Sequence, residues 1–304
     1  MVAAALLAIV VLGCQLAALR LRRALWPARD PGTGVLLWQA LGLAWGMAAI
    51  GTLLAVGLAP YRHGVFVGGL MLASDVLAGV RPLHLTPLHM AAVGAGLGLG
   101  VLLVWVLIAS LVVVVRARRR HRALLELVGR GDPAVPGALV LDHPAAAAYC
   151  LPGVRSRVVV SAGVLDLLDD AELQAVLAHE RAHLRARHDL VLIPFTALRR
   201  AFPNTRFATE AYSAVGLLIE MCADDHARRD RTARVLATAL LRFGAAGPAG
   251  APSGALALTG DEVVTRVNRL LEPGARLPLH QRAATLAATL ALVLTPIALM
   301  LLPH

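Results

Sequence analysis

Residues 169–188 read DDAELQAVLAHERAHLRARH. Asp169 is a suitable helix N-cap, and Glu172 stands at the third helical position, where its side chain can complete a capping box. Apolar residues then recur at helical spacing. The stretch therefore predicts a capped amphipathic helix that runs to about Arg187.

This predicted helix carries the pattern His179-Glu180-Arg181-Ala182-His183. Two histidines four residues apart lie about 40° apart around a helix, so both can reach one metal ion. Glu180 is displaced from them and can act as a base on a metal-bound water. Zinc suits a site of nitrogen and carboxylate ligands that keeps one position open. The alternative is a pair of surface histidines, but the capped helix and the apolar run before His179 favour the metal site.

A catalytic zinc needs a third protein ligand, and the sequence offers two candidates. His188 falls five residues after His183 without a glycine, so it does not fit the extended pattern HExxHxxGxxH. Glu220 is the stronger candidate, because it lies among apolar residues on a second predicted helix, 211–231, and a buried carboxylate needs a partner. Asp224 shares its helix face and could accept the free N–H of a ligating histidine. A structural ion pair between Glu220 and an arginine is the alternative.

The composition points to a membrane protein. Hydrophobic residues make up 58% of the 304 residues and charged residues only 16%, which excludes a disordered chain and an ordinary soluble enzyme. Three cysteines exclude a disulfide scaffold. Bilayer-spanning helices need about 20 apolar residues. The stretches that meet this length are 2–19, 35–59, 88–115 and 283–302. The apolar stretch 65–80 is shorter and contains Asp75, so we expect it to be interfacial or re-entrant.

The charges predict an orientation in the membrane. The formal net charge is +10, and all 29 basic residues are arginines. Arginine clusters follow the first and third apolar stretches, at 20–29 and 116–122. Because such clusters stay in the cytoplasm, we expect both termini outside and the region between the third and fourth spans inside. Aromatic residues make up only 4% and do not interleave with an arginine stripe, so direct nucleic-acid binding is not expected.

These observations divide the chain into an N-terminal membrane domain, 1–122, a cytoplasmic domain, 123–282, and a C-terminal membrane helix, 283–304. The cytoplasmic region is long enough to bury its own core. It combines helical stretches with the β-branched run Val158–Ser161, which predicts a strand. Residues 244–260, rich in Gly, Pro and Ala, predict a loop. We therefore expect a mainly α protein with several transmembrane helices and a cytoplasmic α+β domain.

The run from Gly163 to His183, with Glu220 and Asp224 downstream, resembles the gluzincin domain of BlaR/MecR-type membrane metallopeptidases. More distantly, it resembles the HtpX-type membrane proteases. The resemblance extends over residues 1–302, and we expect no counterpart of the extracellular sensor domain that some members carry. It implies a gluzincin-like zinc protease domain in which Glu180 is the base. The zinc ligands that it implies are His179, His183 and Glu220.

Peptide hydrolysis needs further groups, which the sequence offers without choosing among them. Candidates for contact with the oxyanion or the substrate are Tyr212, His226, Arg229 and Arg266, of which Arg266 is also implied by the resemblance. The substrate would bind in extended form along a sheet edge. We expect that edge at Val158–Ser161 and at residues 147–150, which include Ala148 and Tyr149. Cys150 and Cys222 are expected to be small buried thiols.

The function expected from these features is that of a membrane zinc endopeptidase acting at the cytoplasmic face. Its partners would be a protein or peptide substrate and the lipid bilayer. By resemblance, the substrate would be a regulatory protein, such as a winged-helix transcriptional repressor, or the protein itself. One alternative is a quality-control protease of HtpX type. Another is a non-enzymatic signal transducer with structural zinc, which is usually closed by four protein ligands.

Overall fold

The structure is a computed structural model that describes residues 1–80, 85–131, 138–151, 157–230, 232–246, 260–272 and 274–302. As predicted, the described part is mainly helical. The long apolar helices are α1 (Val2–Arg23), α2 (Pro31–Gly57), α4 (Pro87–Val128) and α11 (Leu279–Leu301). The strands are β1 (Arg130–Gly131), β2 (Ala138–Leu141), β3 (Ala148–Leu151) and β4 (Arg157–Ser161). The other helices are α3 (Val65–Leu77), α5 (Ala162–Leu167), α6 (Asp170–Ala186), α7 (His188–Ala201), α8 (Arg206–Asp230), α9 (Ala233–Ala246) and α10 (Gly260–Leu271).

The helices α1, α2, α4 and α11 are each long and apolar enough to cross a membrane. They coincide with the four stretches singled out in the sequence, except that 35–59 and 283–302 extend one or two residues beyond the ends of α2 and α11. Helix α3 has 13 residues, about 20 Å at 1.5 Å per residue, which is too short to span a bilayer. Its Asp75 accepts a hydrogen bond from the Tyr61 hydroxyl at 2.8 Å. Of the predicted loop at 244–260, residues 247–259 lie outside the described part of the chain.

The four long apolar helices form a bundle, called the membrane bundle below, and α2 is at its centre, since α1, α4 and α11 all pack against it. The contact between α2 and α4 is close at Gly57, where a Cβ atom would lie 2.5 Å from Val93 Cγ2 and 2.8 Å from the His89 carbonyl oxygen. A residue with a side chain at this position would push the two helices apart. Small residues of this kind let membrane helices approach closely.

Helices α7 and α8 form a hairpin that packs against the membrane helices instead of standing apart from them. Their connection, residues 202–205, is short, as expected for antiparallel neighbours. At this connection Trp45 of α2 contacts the rings of Phe202 and Phe207, with centroids 5.2 and 5.4 Å apart. Trp45 is 14 residues beyond Pro31, about 21 Å along α2. The hairpin and the membrane helices therefore share one hydrophobic core.

The direction of α7 follows from its two polar contacts with α4. Near its start, Asp189 accepts a hydrogen bond from Arg118 at 2.6 Å. Near its end, Arg200 donates to the Ser110 hydroxyl at 3.2 Å. The residue numbers rise along α7 while they fall along α4, so the two helices are antiparallel. The apolar stretch 190–202, too short to cross a membrane by itself, lies within this hairpin.

The sheet has the strand order β1-β2-β4-β3. Strands β2 and β4 are parallel, while β3 pairs antiparallel with β4 and is an edge strand. One expectation was wrong: Val158–Ser161 is not at the edge, because β4 is hydrogen-bonded on both sides. Its valines are buried and contribute to cores beneath α5 and α6 and against α4. The sheet thus packs against α6, and β3 is one of its two edge strands among the described residues.

Candidate metal centre

The start of α6 has the predicted cap. Asp169 Oδ1 accepts a hydrogen bond from the Glu172 backbone N–H at 2.9 Å, and Glu172 Oε2 accepts one from the Asp169 backbone N–H at 3.1 Å. Glu172 is buried and also binds Arg242 at 2.7 Å. The helix ends at Ala186, and Arg187 follows in a left-handed conformation with φ of 51°. The helix that carries His179 and His183 therefore has a defined start and a defined end.

The two histidines of α6 meet a carboxylate of α8. His179 Nε2 lies 3.1 Å from His183 Nε2 and 3.3 Å from Glu220 Oε2, and His183 Nε2 lies 3.5 Å from Glu220 Oε1. Three ligand atoms bonded to one tetrahedral zinc at 2.0–2.1 Å would be about 3.3 Å apart. The three side chains therefore form a possible metal site, and both their donor types and their spacing fit zinc.

Behind this group, Asp224 faces the other nitrogen of His179. Its Oδ1 atom lies 3.0 Å from His179 Nδ1, and its side chain is almost fully buried. This is the arrangement in which a carboxylate orients a metal-ligating imidazole and keeps the opposite nitrogen free for the metal. Glu220 and Asp224 reach the site together because they are four residues apart on α8.

Arg266 of α10 holds both carboxylates. Its side chain is only 1% exposed; Nε and Nη2 donate to Asp224 at 2.9 and 2.7 Å, and Nη1 lies 3.0 Å from Glu220 Oε2. The candidate metal ligand Glu220 is thus also the partner of a buried arginine. Its position fits both alternatives raised by the sequence, a metal ligand and a structural ion pair. The guanidinium group faces the carboxylates, which favours a positioning role over oxyanion binding.

A second arginine fixes α10 in place. Arg269 donates to Asp225 at 2.7 Å and to the Ala28 carbonyl oxygen at 2.6 Å. Ala28 belongs to the short connection between α1 and α2. Helix α10 is therefore attached both to α8 and to the membrane bundle, and Asp225 is directed to Arg269 and away from the metal group.

The charges of the chain itself favour ionised carboxylates at this site. Burial raises the pKa of Asp224, but Arg266 outweighs it and lowers that pKa to about 2. Burial likewise opposes ionisation of Glu220, yet Arg266 and His183 hold its pKa well below the usual range. For His179, burial lowers the pKa, while the hydrogen bonds to Asp224 and Glu220 raise it to about 9. Both acids are thus anionic at neutral pH and ready to bind a cation.

His188 lies beside the site although it does not fit the extended zinc pattern. It is the first residue of α7. It is buried, and its Nδ1 atom lies 3.1 Å from His183 Nδ1. Burial lowers its pKa to about 4. The sequence did not predict this contact, because it depends on the left-handed conformation of Arg187 between α6 and α7.

Three further candidates lie outside the three-residue metal group. The Tyr212 ring lies 4.0 Å beneath Arg199, His226 is exposed with Nδ1 2.9 Å from the Cys222 carbonyl oxygen, and Arg229 is exposed. Their roles stay predictions.

Tyr149 and Ala148 lie on the edge strand β3, as expected for residues along a substrate path. The Tyr149 hydroxyl is 2.7 Å from His121 Nε2 on α4, and burial raises its pKa to about 12. Burial also raises the pKa of Cys222 to about 12, and this residue is not part of the three-residue metal group. The side chain of Cys150 lies outside the described part.

Comparison with known proteins finds a similarity to one peptidase family. No solved structure matches the chain. Residues 115–222 match the model of Peptidase family M48. The matched segment contains α6 with its two histidines and Glu220, and it ends two residues before Asp224. The match is consistent with a zinc metallopeptidase family, and with the four apolar helices it suggests a membrane metallopeptidase.

Proposed function

We propose that the protein is an integral-membrane, zinc-dependent endopeptidase that hydrolyses peptide bonds at the cytoplasmic face. The observation that carries this proposal is the convergence of His179, His183 and Glu220, with donor atoms 3.1–3.5 Å apart. Glu180 follows the first of these residues on the same helix and is partly buried. The M48 match over residues 115–222 supports a peptidase in preference to other zinc enzymes.

Each residue around the site would have a separate role in hydrolysis. Zinc, when bound, would supply the Lewis acidity that polarises a scissile carbonyl and acidifies water. Glu180 would take the proton from the attacking water and deliver it to the leaving amide nitrogen. Asp224 would hold His179 through Nδ1, and Arg266 would keep the two carboxylates from moving apart. The edge strand β3 would pair with the backbone of an extended substrate.

The position of the site favours substrates at the membrane. Leu218, two residues before Glu220, packs on Gly34 near the start of α2. The metal group therefore lies near one end of the membrane bundle, and with the orientation predicted by the arginine clusters this is the cytoplasmic end. By resemblance to the BlaR/MecR type, the proposed substrate is a regulatory protein, such as a winged-helix repressor, or the protein itself.

Two alternatives lead to different results. A quality-control protease of HtpX type would cleave many damaged membrane proteins instead of one repressor. A signal transducer with structural zinc would need a fourth protein ligand, whereas the described residues bring together a group of three. A reporter gene controlled by one repressor distinguishes the first from regulatory proteolysis.

The variant Glu180→Gln tests the proposal. Wild-type protein and Glu180→Gln would be purified in detergent and compared for zinc content and for cleavage of themselves and of an unfolded test protein. We expect equal zinc contents and at least a 100-fold loss of cleavage, in line with the usual contribution of general acid–base groups, about 10²–10⁴-fold. Equal cleavage by both proteins would contradict the proposed role of Glu180. Absence of zinc from both would contradict the metal site.

A further inference from the structure

We propose that His188 is a positioning residue that orients the zinc ligand His183 by accepting a hydrogen bond from its Nδ1–H group. The inference rests on the proposed zinc site. It concerns a residue outside the group of three, one that the sequence pattern did not place near the metal.

The geometry of the two rings supports this role. His183 turns Nε2 toward His179 and Glu220 and turns Nδ1 toward His188, with the two Nδ1 atoms 3.1 Å apart. The rings meet edge to face, with centroids 4.9 Å apart and planes at 87°. His188 is buried, so water does not readily replace it. A histidine bound to a metal through one nitrogen almost always donates its other N–H to a fixed acceptor.

The tautomers follow from this contact. If His183 offers Nε2 to the metal, its proton is on Nδ1, and His188 must present an unprotonated Nδ1. His188 is then neutral and carries its own proton on Nε2. The two ligating histidines would therefore have different supports: a carboxylate, Asp224, behind His179, and a neutral imidazole behind His183.

This difference has a consequence for the charge of the site. Zinc, Arg266 and the three carboxylates of Glu180, Glu220 and Asp224 together would carry a formal charge of about zero, and a neutral acceptor leaves that balance unchanged. A further carboxylate behind His183 would make the site net negative and the metal a weaker Lewis acid. A neutral acceptor orients the ligand without this loss.

The position of His188 is itself fixed from two sides. Arg187, at φ 51°, ends α6 and separates it from α7, and the ring of the next residue, His188, lies against His183 in the last turn of α6. Next along the chain, Asp189 binds Arg118 of α4 at 2.6 Å. His188 is thus held in place through its neighbour Asp189, which binds α4, as well as by its position directly after α6.

Two substitutions separate positioning from simple packing. His188→Asn keeps an acceptor close to the place of Nδ1 but removes the ring. His188→Phe keeps the ring and its edge-to-face packing but removes the acceptor. The readouts are the zinc dissociation constant, measured by competition with a chelator, and the visible absorption spectrum of the cobalt-substituted protein, which reports ligand geometry. His280→Leu, an exposed histidine at the start of α11, is the control.

We expect His188→Phe to weaken zinc binding about 10–100-fold, the usual effect of losing such a support, and to alter the cobalt spectrum. His188→Asn should remain within a few-fold of wild type, and His280→Leu should be unchanged. The opposite order, with Phe like wild type and Asn impaired, would overturn the inference and show a packing role. If Phe does not fold, His188→Leu takes its place in the comparison with Asn. Wild-type protein that binds no zinc would instead refute the proposed function.

Discussion

Replacing Arg266 by methionine should destabilise the metal-free protein, because the carboxylates of Asp224 and Glu220 would lose their buried cation. Arg266 and Asp224 are almost fully buried, and the same guanidinium group also binds Glu220. Methionine keeps much of the side-chain length but removes the cation, which leaves two buried carboxylates without their partner. Removing one partner of a buried ion pair costs about 3–5 kcal/mol. For a region of this size that corresponds to a fall in melting temperature of about 6–20 °C.

Zinc should restore much of this loss, because its two positive charges lie beside Glu220. We therefore expect the rise in melting temperature on adding zinc to be larger for Arg266→Met than for wild type. The assay is thermal unfolding in detergent, with and without zinc, after removal of metal by a chelator. Arg242→Met is the matched control: Arg242 also pairs with a buried acid, Glu172, but its side chain is 45% exposed and Glu172 keeps its hydrogen bond from the Asp169 backbone N–H, so its loss should cost less than that of Arg266.

The reasoning about Arg266 would be refuted if the metal-free variant melted within 2 °C of wild type, or if Arg242→Met were equally damaging. The first result would mean that the buried carboxylates do not need the arginine. The second would mean that the damage reflects the loss of any arginine near α6.

Two further predictions concern the support of His179. Asp224→Asn keeps the shape of the side chain but replaces the carboxylate behind this ligand, and we expect zinc affinity, measured by chelator competition, to fall about 10–100-fold; unchanged affinity would show that the 3.0 Å contact does not orient the ligand. The raised pKa of His179, about 9 against 6.5, predicts that its ion pair stabilises the metal-free protein fully below pH 6.5 and that this contribution, about 3 kcal/mol, is lost as the pH rises through 9. Melting of the chelator-treated protein should therefore fall between pH 6.5 and 9.5, while the zinc-loaded protein, in which His179 is a neutral ligand, should not show this fall.

The local features of the site could be predicted because they depend on helix geometry. The spacing of His179 and His183 places them on one face, and the Asp169–Glu172 pair predicts the cap that the structure has. Glu220 could be singled out because a carboxylate among apolar residues needs a partner. In the structure Glu220 contacts both the histidine pair and Arg266. The sequence of α8 alone does not indicate which of these partners to expect.

Features that depend on the path of the chain could not be predicted. His188 meets His183 only because Arg187 adopts a left-handed conformation, which arginine seldom does and which no glycine signals. The order of four short strands is also set by long-range pairing, so Val158–Ser161 was expected at the edge although it lies inside the sheet. The apolar stretch 190–202 is too short to span a membrane and predicts a core or membrane-contacting segment, but nothing in the sequence singles out α2 as a helix that the α7–α8 hairpin meets.

Zinc stoichiometry is the most direct test of the three-residue site. Metal content per chain would be measured by mass spectrometry on detergent-purified wild type and on a double variant, His183→Phe with Glu220→Gln, after dialysis against trace zinc. We predict one zinc per wild-type chain and less than a tenth of that in the double variant. Equal zinc in both proteins, or none in the wild type, would contradict a metal centre built from His179, His183 and Glu220.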